Sequence, residues 1–123
     1  MLPKKVQSGM HEGAALSAEE EVYRLQAEFC RGMAHPKRIH ILRTLKGGEK
    51  TVGELARLTG LPQANVSQHL ALLRQFGLLS TRREGASVYY DIADHRIVEA
   101  CELVRGCIAE RLKRSQTLLA VPP

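Results

Sequence analysis

The stretch from Pro62 to Leu73 carries no charged side chain, yet one side of it is polar. Gln63, Asn65, Ser67, Gln68 and His69 supply that polarity. The amides of Gln and Asn can bond an adenine edge through two hydrogen bonds, and a Ser hydroxyl can bond a base or a phosphate. An ordinary exposed helix carries Lys and Glu instead. Here no carboxylate stands in the way of a polyanion. A little further on, Arg82 and Arg83 precede a turn, and Ser87 and Tyr89 follow it. An Arg beside a turn can reach a backbone phosphate or enter a minor groove. Together these residue types support recognition of a nucleic acid duplex.

A second set of reactive groups is Cys30, Cys101 and Cys107. Cys101 and Cys107 are six residues apart, about 9 Å along a helix and ~120° around it. That separation excludes a disulfide between them within one intact helix. Cys101 also fits an apolar stripe, where a free thiol serves as a small hydrophobe. His35 and His40 read as helix-end or surface residues, His69 as facing DNA or packing, and His95 has no evident partner. The sequence has no glycine-rich phosphate loop, no GxSxG and no acidic pair apart from helix caps, so an enzyme is not expected.

The periodicity supplies elements to carry these groups. Residues 1–16 show no sustained period and are expected to form a flexible arm. Ser17 and Glu20 fit a capping box, predicting a helix with Val22, Leu25, Phe29 and Met33 on one side. His35-Pro36 breaks it and opens a second helix to about Lys46, with Ile39, Leu42 and Leu45 inward. Thr51 and Glu54 cap a third, burying Val52, Leu55, Ala56 and Leu58 and ending at Gly60. The fourth spans Pro62–Phe76, with Val66, Leu70, Leu73 and Ala71 inward. Strands over 78–83 and 87–92 flank a turn at Gly85. A final helix from about Asp94 to Lys113 or beyond repeats Ile97, Cys101, Val104, Ile108 and Leu112, a narrow stripe suited to a partner helix. The expected fold is therefore mainly α with a two-stranded β-hairpin, a winged helix-turn-helix. Residues 17–115 form its DNA-binding and dimerisation domain, and residues 116–123 a frayed tail.

Charge is distributed to match. Between Arg31 and Tyr90 there are ten Lys/Arg against three Asp/Glu, and in the remainder eight against ten. The basic middle suits a polyanion, and the mildly acidic flanks suit protein contacts. Aromatic residues are only 4 % of the chain, which argues against base stacking as the main mode of binding. No apolar run approaches the ~20 residues of a membrane span, and no apolar stretch follows Lys4 and Lys5 as in a secretory signal. A cytoplasmic protein without a membrane partner is expected, its thiols kept reduced.

Three strings carry a family resemblance: Ala34-His35-Pro36-Lys37-Arg38-Ile39, Val66-Ser67-Gln68-His69-Leu70, and Arg82-Arg83-Glu84-Gly85 with Val88-Tyr89-Tyr90. Over about Leu25 to Glu110 the chain resembles the ArsR/SmtB repressors. The resemblance implies a homodimer built from the first and last helices, bound to double-stranded DNA at an inverted-repeat operator and released by an inducer. The family's metalloid site before the recognition helix is absent, because Glu49 to Glu54 contains no cysteine. Its zinc site between the last helices is spoiled, with Arg96 and Cys107 where histidines belong between Asp94 and Glu110. In such a dimer Cys30 would approach Cys101 or Cys107, within a chain or across it. No cofactor is required. Three thiolates could hold a thiophilic ion such as arsenite, Cd(II) or Pb(II) as inducer. Alternatively, two could be bridged by an oxidant or reactive sulfur. The other reading is a constitutive regulator with structural cysteines.

Overall fold

The computed structural model describes the backbone of residues 10–120 and the side chains of residues 17–116. Helix α1 spans Met10–Met33. Ser17 therefore lies inside it, and the expected cap at Ser17 is corrected. Part of the expected arm, 10–16, is helical too, while residues 1–9 lie outside the described residues. The reason is local composition: Ala14, Ala15, Ala18 and the following glutamates are strong helix formers, which outweighs one interior glycine.

His35 ends the break before α2, Pro36–Thr44. Its Nδ1 accepts from the Lys37 N–H at 3.1 Å, and Pro36 occupies the first turn. Arg38 reaches back and donates to the Gly32 carbonyl at 2.6 Å and to that of Arg31 at 3.3 Å. It thus satisfies carbonyls left open at the end of α1. A 3₁₀ turn, Leu45–Gly47, follows. Helix α3, Val52–Thr59, has the expected capping box: Thr51 Oγ1 accepts from the Glu54 N–H, and Glu54 Oε1 accepts from the Thr51 N–H. Gly60 closes it at φ +74°.

Helix α4 spans Gln63–Gln75, with Pro62 just outside it as the N-cap. Its end is a Schellman motif around Gly77. The Gly77 N–H donates to the Arg74 carbonyl, the Leu78 N–H donates to that of Leu73, and both leucines are buried. Strands β1, Leu79–Glu84, and β2, Ser87–Ile92, pair antiparallel from Leu79↔Ile92 to Glu84↔Ser87. Of the two turn residues only Gly85 has positive φ, as a type II′ turn requires. Lys50 bridges to Tyr90 through both backbone bonds, so the loop before α3 adds one residue of pairing to the hairpin. Helix α5 spans His95–Ala120, past the point where fraying was expected.

The core gathers Ile41, Leu42 and Leu45, then Leu55, then Val66, Leu70 and Leu73, and closes on Leu78, Leu79, Ile92 and Val98. Three inward assignments are corrected. Ile39 and Leu58 are exposed, and so is Ala71. In α2 the buried residues are Ile41, two positions after Ile39, and Leu42. Ile39 fitted the pattern because it lies three residues before the buried Leu42, a spacing that the 3.6-residue period allows. Among the described residues, α5 contributes one fully buried side chain to this core, Val98.

Candidate nucleic-acid interface

Val66, Leu70 and Leu73 seat α4 on the core and so fix which side it turns outward. Gln63, Ser67 and Gln68 are exposed, with Ala64 and Ala71 between them, and Asn65 is half-buried at the edge. Ala64 was missed in the sequence. Its position, four residues before Gln68 on the same face, was the available signal, because a methyl group can touch the thymine C5 methyl. The N-terminal half of a recognition helix is the part that meets base edges, and Gln63 through Gln68 occupy it.

His69 is placed differently from the other polar residues of α4. Its ring lies against that of His35, centroids 4.7 Å apart, and its Nδ1 is enclosed without a hydrogen-bond partner. Burial, and then the charges of His35, Arg38 and Lys37, hold its pKa below the ordinary value. His69, half-buried and packed on the cap of α2, helps to set where α4 sits, with its Nδ1 turned into the protein.

The two wing arginines also differ. Arg82 is gripped by Glu49 and Glu84, each at 2.6 Å, and its guanidinium lies 4.6 Å from the centre of the Tyr89 ring. Its charge is thus offset by the protein's own carboxylates, and it ties the wing to the loop before α3. These partners raise its pKa further above an already basic value and lower that of Glu49. Arg83 is exposed, opposite Val88, and makes none of the ion pairs formed among the described residues. Ser87 is exposed at the turn, and Tyr89 is half-buried beneath Arg82.

The cysteines separate into a pair and an outlier. Cys30 and Cys101 line one groove of about 460 Å³ between α1, α2 and α5. Cys101 Sγ donates to Met33 Sδ at 3.4 Å. Burial, Glu102 and the nearby Cys30 all push the Cys101 thiol up, in that order. Cys107 is exposed and does not line the groove. It stands nine residues beyond Val98, about half a turn from the side of α5 that meets the core. Among the described residues no three His, Cys, Asp or Glu side chains are grouped to hold a metal. Asp94 is committed to Arg96, which draws its carboxyl down to about 2.

The terminal helices leave apolar surface open. Val22, Leu25 and Phe29 on α1 and Val104, Ile108 and Leu112 on α5 are all exposed. Contiguous apolar surface of this kind on a small protein marks an interaction site. No helix among the described residues is long and apolar enough to cross a membrane.

A helix-turn-helix on a closed core, followed at once by a two-stranded hairpin, is a winged helix-turn-helix domain. Residues 35–81 match the bacterial regulatory protein, arsR family. The uncharacterized HTH-type transcriptional regulator Rv0081 of Mycobacterium tuberculosis is 40% identical over 94 residues, 76% of this chain and 82% of that one. The crystal structure of M. tuberculosis Rv0081 matches with a TM-score of 0.67 at 39% identity, covering 76% of this chain and 95% of that one. The homodimeric winged helix-turn-helix DNA-binding domain of a possible ArsR-family regulator from Mycobacterium bovis matches with a TM-score of 0.69 at 31% identity, covering 76% and 87%. A probable mercury resistance operon repressor of Streptomyces lividans is 36% identical over 83 residues, 68% of this chain and 66% of that one. The chain belongs to the ArsR family of bacterial transcriptional regulators.

Proposed function

We propose that this chain is a homodimeric transcriptional repressor that reads an inverted-repeat operator and lets go of it when a thiol site is occupied. The observation that carries the reading is the outward face of α4 from Gln63 to Leu72: uncharged, rich in amides, and held open by a core that buries the opposite side, with Arg74 the first charge beyond it. Gln63, Ala64, Ser67 and Gln68 would meet base edges in the major groove, and Arg83 a phosphate beside it. The exposed stripes of α1 and α5 support a second copy as partner. A twofold dimer calls for two half-sites about 34–36 Å apart, or a multiple of that. The homodimeric M. bovis domain and the S. lividans repressor support both parts by kinship. Such a target implies a cytoplasmic protein. The groove that joins Cys30 to Cys101 supports thiol sensing, with Cys107 outside the site.

Duplex binding at a series of salt concentrations tests the DNA reading. The log of affinity should fall steeply with the log of salt, and Arg83→Ala should flatten that slope by about one ion. No binding at low salt would refute the reading. Operator affinity unmoved by thiophilic metals, persulfides or oxidants would instead favour a constitutive regulator.

A further inference from the structure

Cys30 and Met33 stand three residues apart on α1 and therefore share a face. That face meets α5 at Cys101, where Cys101 Sγ touches Met33 Sδ at 3.4 Å. All three residues line the same groove, which Ile39, Val104 and Ile108 make apolar. Cys101 alone, half-buried, would be a small hydrophobe, but Cys30 is exposed on the same groove. Two thiols and a thioether on the wall of one groove, carried by two helices, offer a ligand set.

We propose that Cys30, Met33 and Cys101 form a three-sulfur site for monovalent copper, and that this ion is the inducer. The proposal rests on the thiol-sensing reading above and names its ligand. Thiolate and thioether donors together select Cu(I) among the common ions. Zinc takes four ligands from thiolates, imidazoles and carboxylates, and no His, Asp or Glu lines this groove. Trivalent arsenic held by three thiolates would need Cys107, which is elsewhere.

Each thiol gives its proton to solvent, each thiolate forms one bond to copper, and the Met33 thioether donates a lone pair. The ion stays monovalent throughout. The filled site carries one net negative charge, and Arg105 lines the groove beside it. Two sulfurs each ~2.3 Å from one ion, the zinc–thiolate length, stand about 4 Å apart in a trigonal site. The Cys101–Met33 pair thus needs to open by only about half an ångström. Copper there would pin the end of α1 to α5, the two helices that carry the open apolar stripes. Pinning their crossing would alter the spacing of two recognition helices.

The full chain, reduced and without oxygen, is titrated with Cu(I) supplied as its acetonitrile complex against a coloured Cu(I) chelator. The expected result is one copper per chain with three sulfur neighbours by X-ray absorption, and weaker operator binding by the loaded protein. Met33→Leu should lower copper affinity tenfold or more and leave two sulfur neighbours, given that losing even an outer-shell partner costs 10–100-fold. Cys107→Ser should match wild type. Three sulfur neighbours retained in Met33→Leu, or copper lost in Cys107→Ser, would overturn the site. If copper binds without weakening operator affinity, the inducer role falls. If a persulfide donor releases the operator and copper does not bind, the copper site falls while thiol sensing stands.

Discussion

The recognition half of the molecule and its scaffold half are finished to different degrees. From Ile41 to Ile92 the apolar side chains close on one another, the capping box of α3 is complete, and Arg82 is locked to Glu49 and Glu84. The terminal helices add little to that core and expose their longest apolar stripes. Helix α5 is held by Val98 and by an ion pair from Arg43 to Glu102 at 2.9 Å. Helix α1 is fastened mainly at its end, where Gly32 lies against Phe76 and Leu78 so closely that a Cβ would stand 2.9 Å from the Leu78 side chain. One half is a complete unit that presents a surface. The other is complete only against a partner, and that is how the distance between two such surfaces can be adjusted.

The largest expected effect breaks the scaffold alone. Ile108→Glu places a charge in the α5 stripe, far from the core. It should give a folded monomer by sedimentation and lower operator affinity by about 10²–10⁴, the gain that linking two sites provides. A dimer with unchanged affinity would mean that α5 is not the joining surface. A smaller effect sharpens the link between the halves. His69 resists its charged form in the folded protein, so the unfolded chain binds more protons below its ordinary pKa. Stability should then be full above about pH 6.5 and decline as the pH falls below it. Thermal midpoints from pH 7 to pH 5 check this. His69→Gln should flatten the decline, and an equally steep decline in the variant would assign it to other groups.

The helix-turn-helix was legible because its signals are local. Thr51 with Glu54 and Gly60 with Pro62 lie within a turn of the elements they punctuate. The amide face of α4 was legible for the same reason. His69 was not, because its inward orientation depends on His35, which arrives from another helix. The clamp from Glu49 to Arg82 spans 33 residues and leaves no periodic trace. Met33 fitted the stripe of α1 as an apolar residue, and only the approach of Cys101 shows its sulfur in a shared groove. The early part of α1 was hidden because a Ser-x-x-Glu pattern marks a helix start and also occurs inside helices.

The central claim is that the outward amides of α4 read bases. Gln68→Ala, with affinities measured on an operator duplex and on a scrambled duplex of equal length, tests it most directly. Operator binding should weaken by ~1–3 kcal/mol while scrambled binding holds. Equal losses on both duplexes, or none on either, would contradict it.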